Sequence, residues 1–280
     1  MVTGWVAITL MLLAAMAGCA QSGSRPQAEH STPASSATPV EPPESKPPAR
    51  PSVAQRCSEP RLSAAREVGL RASDGTKIFG AELGSGPRGL VLLHTSMSTG
   101  LCGWSPAMLW LADAGFHVFA IDSRCSGYSQ CKTGEGLDLD LLAATDWLRS
   151  RGAETVIAVG GSQGSSVALA TAARPDHDLD AVVALSGGWP HEFYTGPDAS
   201  RDPVALARRV DVPVLYVSAL GDVAVPQQEY RALFRATASQ GTDYIALKGS
   251  GHAMSLLGYF ERSRFFRTDF LDFLGAHSVR

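Results

Sequence analysis

The chain has 280 residues, 45% of them hydrophobic and 18% charged, with a formal net charge of −3. That is an ordinary globular composition, and the length is enough for one compact domain with a sizeable core plus appendages. With no basic patch or run, the chain lacks the electrostatic footprint of a nucleic-acid-binding protein.

In chain order, the first feature is an apolar stretch from Trp5 to Ala17 that is too short to span a bilayer and ends in small residues. It reads as the hydrophobic region of a signal peptide spanning residues 1–18. Met16-Ala17-Gly18-Cys19 resembles a bacterial lipobox, although Met16 stands where leucine is usual and Met1-Val2-Thr3-Gly4 offers no Lys or Arg. The resemblance implies cleavage before Cys19, lipid on its new N-terminus and an extracytoplasmic, membrane-anchored protein, with plain secretion as the alternative. From Ala20 to about Pro60 the chain is mostly Pro, Ser, Ala and Glu, with almost no large apolar residue. Such a segment buries too little surface to fold. Residues 19–60 are therefore expected to be a linker and residues 61–280 the folded domain.

Beyond the linker, Glu67 to Arg71 and Lys77 to Leu83 form a hairpin pattern around Ser73-Asp74-Gly75. Buried strands of the parallel type are expected at Gly89 to Thr95, His117 to Ile121, Thr155 to Gly160, Ala181 to Leu185, Pro213 to Val217 and Thr242 to Leu247. Helical periodicity separates them, most visibly at Leu137 to Arg151, Ser162 to Ala173, Gln227 to Ala238 and Arg262 to Leu274. This alternation argues for a mainly parallel, eight-stranded sheet covered by helices on both faces.

The strand ending at Gly160 runs directly into Gly160-Gly161-Ser162-Gln163-Gly164 and an alanine-rich helix. A sharp strand-to-helix turn exposes a serine hydroxyl beside backbone N–H groups and a helix N-terminus, which is what a nucleophilic serine needs. Two later motifs also follow strands: Gly221-Asp222-Val223-Ala224-Val225-Pro226, and Gly249-Ser250-Gly251-His252-Ala253-Met254.

On these motifs, residues from about 62 to 280 resemble an α/β-hydrolase with a minimal cap, since only Gly187 to Arg209 separates the sixth strand from the next. The chain order nucleophile, acid, histidine matches that family. The resemblance implies Ser162 as nucleophile, His252 as general base and Asp222 as the carboxylate that orients it. His94, in Val91-Leu92-Leu93-His94-Thr95-Ser96, resembles the family's His-Gly motif and reads as structural. The oxyanion hole is expected to combine the N–H of Gln163 with that of Thr95 or Ser96, with Thr95 standing where the family has glycine. Asp122-Ser123-Arg124-Cys125-Ser126-Gly127-Tyr128-Ser129 resembles the family's Asp-x-Arg-Gly-x-Gly-x-Ser segment, with Cys125 in place of glycine.

With Cys19 assigned to lipid, Cys57, Cys102, Cys125 and Cys131 leave an even set that reads as two disulfides outside the cytoplasm, with all three pairings open. Their spacings are not those of a zinc site, and neither metal nor cofactor is expected. Met97, Cys102, Trp104, Trp189, His191, Phe193 and Tyr194 are candidates to line a substrate pocket, or simply to pack the lid against the core. The expected activity is hydrolysis of a small-molecule or lipid carboxylic ester through an acyl-enzyme. A thioesterase, a peptidase or a catalytically silent surface-displayed binding protein are the alternatives.

Overall fold

The structure, a computed structural model, describes residues 50–94, 99–132, 136–187, 202–259 and 264–279. The signal-like stretch, Cys19 and most of the linker lie outside the described residues, as do Thr95, Ser96, Met97, Trp189, His191, Phe193 and Tyr194. Among the described residues no helix is long and apolar enough to cross a membrane.

The helices are α1 (Val53–Arg56), α2 (Ser105–Asp113), α3 (Leu137–Ser150), α4 (Gln163–Ala172), α5 (Pro203–Ala207), α6 (Gln227–Ala236) and α7 (Arg264–Ala276). The strands are β1 (Arg66–Arg71), β2 (Lys77–Leu83), β3 (Arg88–His94), β4 (His117–Asp122), β5 (Thr155–Gly161), β6 (Ala181–Leu185), β7 (Val214–Ala219) and β8 (Asp243–Leu247). They form one eight-stranded sheet in the order β1-β2-β4-β3-β5-β6-β7-β8. Only the pairs β1/β2 and β2/β4 are antiparallel. From β4 through β8 every pairing is parallel. Strands β3 to β7 are almost wholly buried, which is why they read in sequence as continuous apolar runs rather than alternating ones.

The two faces of the sheet carry separate cores. One gathers residues of α3, α4 and α6 against Val91, Leu93, Val156 and Ala158. The other gathers residues of α2 and α7 against Leu90, Leu92, Ile157 and Val159. Because β3 and β5 are neighbours while β4 lies on the far side of β3, the chain reverses its direction of travel across the sheet between β3 and β5. In open parallel sheets the crevice at the carboxyl ends of such a switch point is where ligands bind. His94 and Gly161, the last residues of β3 and β5, are register partners at that point.

Two features of the structure are not visible in the sequence pattern. Helix α2 carries no helical periodicity in sequence because Ser105-Pro106-Ala107-Met108-Leu109-Trp110-Leu111-Ala112-Asp113 is apolar on nearly every side, so it lacks the polar face that makes a helix legible. Residues 50–60, placed in the linker by composition, also pack against the folded domain. Val53 is a core residue, and a capping box closes the start of α1, with Ser52 accepting from the Gln55 N–H and the Gln55 side chain accepting from the Ser52 N–H. A single apolar residue in a polar segment does not register as composition, yet Val53 is almost fully buried.

Candidate active site

Ser162 stands between β5 and α4 with φ 52° and ψ −124°, a backbone conformation that a residue with a side chain rarely adopts. Such strain costs about 1–3 kcal/mol and persists only where the surroundings impose it. Here the close passage of α4 over β3 and β5 imposes it. A Cβ on Gly160 would lie 2.3 Å from the Gly164 carbonyl oxygen, and one on Gly164 would lie 2.3 Å from that of Leu93. The two glycines of the pattern are thus required by contact between backbones.

Asp222 follows β7, and His252 follows β8 in a loop. The N–H of Leu220 donates to the Leu247 carbonyl at 2.8 Å and that of Gly221 to the Gly249 carbonyl at 2.7 Å, so the two loops are tied to each other. His252 Nδ1 lies 2.8 Å from Asp222 Oδ2, and His252 Nε2 lies 3.0 Å from Ser162 Oγ. A carboxylate only accepts, so Nδ1 carries the ring proton and Nε2 is left to accept from the Ser162 hydroxyl. Asp222 Oδ1 accepts from the Ala224 N–H at 3.0 Å, which leaves the carboxylate one oxygen for the imidazole. The Asp222 side chain is 1% exposed and that of His252 35%, so the carboxylate is shielded while the ring reaches solvent. The arrangement can draw the proton from Ser162 Oγ onto Nε2 and stabilise the resulting imidazolium.

His94 lies beside this chain, 2% exposed and with no hydrogen-bond partner for Nδ1 among the described residues. Burial, with a smaller contribution from the nearby His252, pushes its pKa down to about 4. It is therefore neutral near pH 7 and places no positive charge against an imidazolium at His252.

Gln163 is the first residue of α4, directly after Ser162, so its N–H lies in the first turn of a helix, at the positive end of the helix dipole. Of the two roles left open for Trp104, pocket wall or packing, the structure favours the second: it is 0% exposed and belongs to the core cluster at the start of α2. Cys102 is likewise bridged to Cys57, and Cys125 to Cys131, which resolves the open pairing. A cavity of about 290 Å³ lies nearby, lined by Gly103, Pro106, Trp110, Met254 and Leu257 among others, close to the lower end of the roughly 300–1,000 Å³ usual for ligand sites.

The Asp122–Ser129 segment supports the fold. Arg124 Nη2 donates to Asp140 Oδ1 at 2.7 Å, and the Phe79 N–H donates to Ser129 Oγ at 2.8 Å. Sequence reasoning missed Ser255, whose hydroxyl bonds the His252 backbone; its position three residues after the histidine is a local signal for such a bond.

A sequence model described as alpha/beta hydrolase fold matches residues 89–206. The chain has the α/β-hydrolase fold. An esterase of Pyrococcus furiosus superposes with a TM-score of 0.65 at 18% identity, covering 78% of this chain and 95% of that one. An enol-lactonase of Burkholderia xenovorans does so with a TM-score of 0.56 at 20% identity, covering 74% and 99%. An alpha/beta hydrolase of a Penicillium species gives 0.62 at 16% identity, covering 76% and 99%. No curated protein sequence matches the chain significantly. Within this fold, the carboxyl ends of β5, β7 and β8 supply Ser162, Asp222 and His252.

Proposed function

We propose that the protein is a serine hydrolase that cleaves carboxylic esters. The observation that carries this reading is the unbroken hydrogen-bonded chain from Asp222 through His252 to Ser162, with the serine held at a strained strand-to-helix turn. Ser162 Oγ attacks the ester carbonyl as its proton passes to His252 Nε2, and the imidazolium then protonates the departing alkoxide. Water, deprotonated by His252, attacks the acyl-enzyme and releases the acid, which restores the Ser162 hydroxyl. The N–H of Gln163, together with that of Thr95 or Ser96, is the proposed oxyanion hole. Removing one such donor costs roughly a hundredfold to a thousandfold in turnover.

The similarity in fold to an esterase and an enol-lactonase favours an ester over a thioester or a peptide. Of the pocket candidates, Met97, Trp189, His191 and Tyr194 stay within this reading. The motif around Cys19 and the apolar Trp5–Ala17 stretch support a lipid-anchored enzyme outside the cytoplasm, a setting in which two disulfides persist.

A fluorophosphonate probe tests the reaction class. Labelling of the wild type and none of Ser162→Ala is the expected result; equal labelling of both, or of neither, would overturn it. A panel of p-nitrophenyl esters, thioesters and peptides then separates the substrate classes. Incorporation of radiolabelled lipid that vanishes in Cys19→Ala tests the anchor.

A further inference from the structure

Asp122, the last residue of β4, is fully buried and receives four hydrogen bonds from three separate pieces of chain. Arg56 donates from Nη1 to Oδ2 at 2.5 Å and from Nη2 to Oδ1 at 2.8 Å. The Leu101 N–H donates to Oδ1 at 2.8 Å, and the Tyr128 N–H to Oδ2 at 2.9 Å. Arg56 Nη2 also donates to the Thr99 carbonyl at 3.2 Å, and the adjacent Cys57 is bridged to Cys102. The fit around the carboxylate is close: a Cβ on Gly100 or on Gly127 would stand 2.1 Å from an Asp122 carboxylate oxygen.

These contacts converge on the 3-10 turn Gly100–Trp104, which has no side-chain cap of its own at Thr99. A five-residue 3-10 turn is weakly held by its internal hydrogen bonds. A bidentate guanidinium–carboxylate pair is directional as well as strong, and the bridge adds a covalent limit on movement. The turn in turn contacts the loop of the catalytic base. A Cβ on Gly103 would lie 2.7 Å from Met254 Cε and 2.9 Å from its Sδ. Met254 follows His252 by two residues, and its Cγ lies 3.4 Å from a Cβ built on Gly161, the residue before Ser162.

We propose that the segment from Arg50 to Leu62 is a positioning element of the hydrolytic site, acting through Arg56–Asp122 and Cys57–Cys102 on the Gly100–Trp104 turn and, across Gly103 and Met254, on the loop carrying His252. The inference rests on the serine-hydrolase reading above. It makes residues 50–60, which in composition belong to the linker, a support of the reaction. A displacement of the base by about 1 Å relative to its reactant can cost a hundredfold in rate, so the strut acts on turnover more than on substrate affinity.

The test compares the pair Cys57→Ser/Cys102→Ser and Arg56→Ala with Leu148→Ala, a core truncation in α3 that destabilises the fold without touching this strut. Each is assayed well below its melting temperature with p-nitrophenyl acetate, and amide hydrogen exchange is followed in residues 99–104 and 252–256. For the bridge pair and Arg56→Ala we expect kcat to fall at least tenfold with KM within threefold, and exchange to quicken in both segments. For Leu148→Ala we expect kcat within twofold of wild type and unchanged relative exchange in both segments. A kcat that holds in the strut variants, or that falls equally in Leu148→Ala, would overturn the proposal. If the fluorophosphonate probe leaves wild-type Ser162 unlabelled, the serine-hydrolase reading fails by itself. Exchange then decides the strut alone, and unchanged exchange at 252–256 overturns it.

Discussion

Ser255 closes the loop of His252 from both sides, its hydroxyl accepting from the His252 N–H at 2.7 Å and donating to the His252 carbonyl at 2.7 Å. The base is thereby fixed through its own backbone, independently of the ring's bond to Asp222. A net hydrogen bond contributes about 0.5–1.5 kcal/mol. Ser255→Ala removes two such bonds, about 1–3 kcal/mol, which expressed wholly as misplacement of the base is about a five- to 150-fold loss of kcat. Ser255→Ala is expected to lower kcat by that factor with KM nearly unchanged, as steady-state kinetics on p-nitrophenyl acetate will show.

Asp222 holds the His252 ring in the tautomer that leaves Nε2 free to accept. An asparagine of the same shape can present its NH2 to Nδ1 and favour the wrong tautomer. Asp222→Asn is therefore expected to lower kcat roughly ten-thousand-fold while the fold is retained. Circular dichroism and titration of active sites with a fluorophosphonate probe check the two halves of that expectation, and a loss below tenfold would remove Asp222 from the proposed role.

His94 makes stability depend on pH. Its folded pKa of about 4 lies below its usual 6.5, so between these values the unfolded chain binds the proton more readily. The stability that neutral, buried His94 preserves is fully present above about pH 6.5 and is lost as pH falls toward 4. At 1.36 kcal/mol per pKa unit the loss reaches up to about 3 kcal/mol. Urea denaturation at pH 7 and pH 4.5 should show a smaller drop for His94→Gln than for the wild type; equal drops would reject the assignment.

Gly164 has no room for a methyl group, because the Leu93 carbonyl oxygen lies 2.3 Å from where its Cβ would stand. That oxygen belongs to a central strand, so neither partner can give way cheaply. Gly164→Ala is expected to destabilise the fold by at least about 2 kcal/mol, measured as a lower urea midpoint, and to displace the Ser162 turn so that labelling slows as well. Gly69 has no neighbour within 4 Å of its would-be Cβ, and Gly69→Ala serves as the tolerated control.

Strand and helix positions were largely legible in sequence because each rests on local periodicity. The apolar run Thr155–Gly161 reads as a buried strand wherever it lies in the sheet, and the hairpin of β1 and β2 follows from Ser73-Asp74-Gly75 between two extended segments. Helix α2 escaped because burial on nearly all sides erases the polar face. Trp104 stayed between two roles for a related reason: a tryptophan beside a loop fits a pocket wall or a core, and only packing shows that it is enclosed.

The sequence by itself determined the order of strands along the chain, the strained serine turn and the positions of Asp222 and His252 after later strands, since each is written in a few adjacent residues. The tertiary structure decided what those residues meet. Strand order brings the ends of β3 and β5 together, Arg56 finds Asp122 across 66 positions, and Cys57 pairs with Cys102 across 45. The physical reason is range. Turns, caps and periodicity are set by neighbours along the chain, whereas a buried ion pair, a disulfide partner or an enclosed tryptophan depends on the closure of the whole sheet, which no local stretch of sequence encodes.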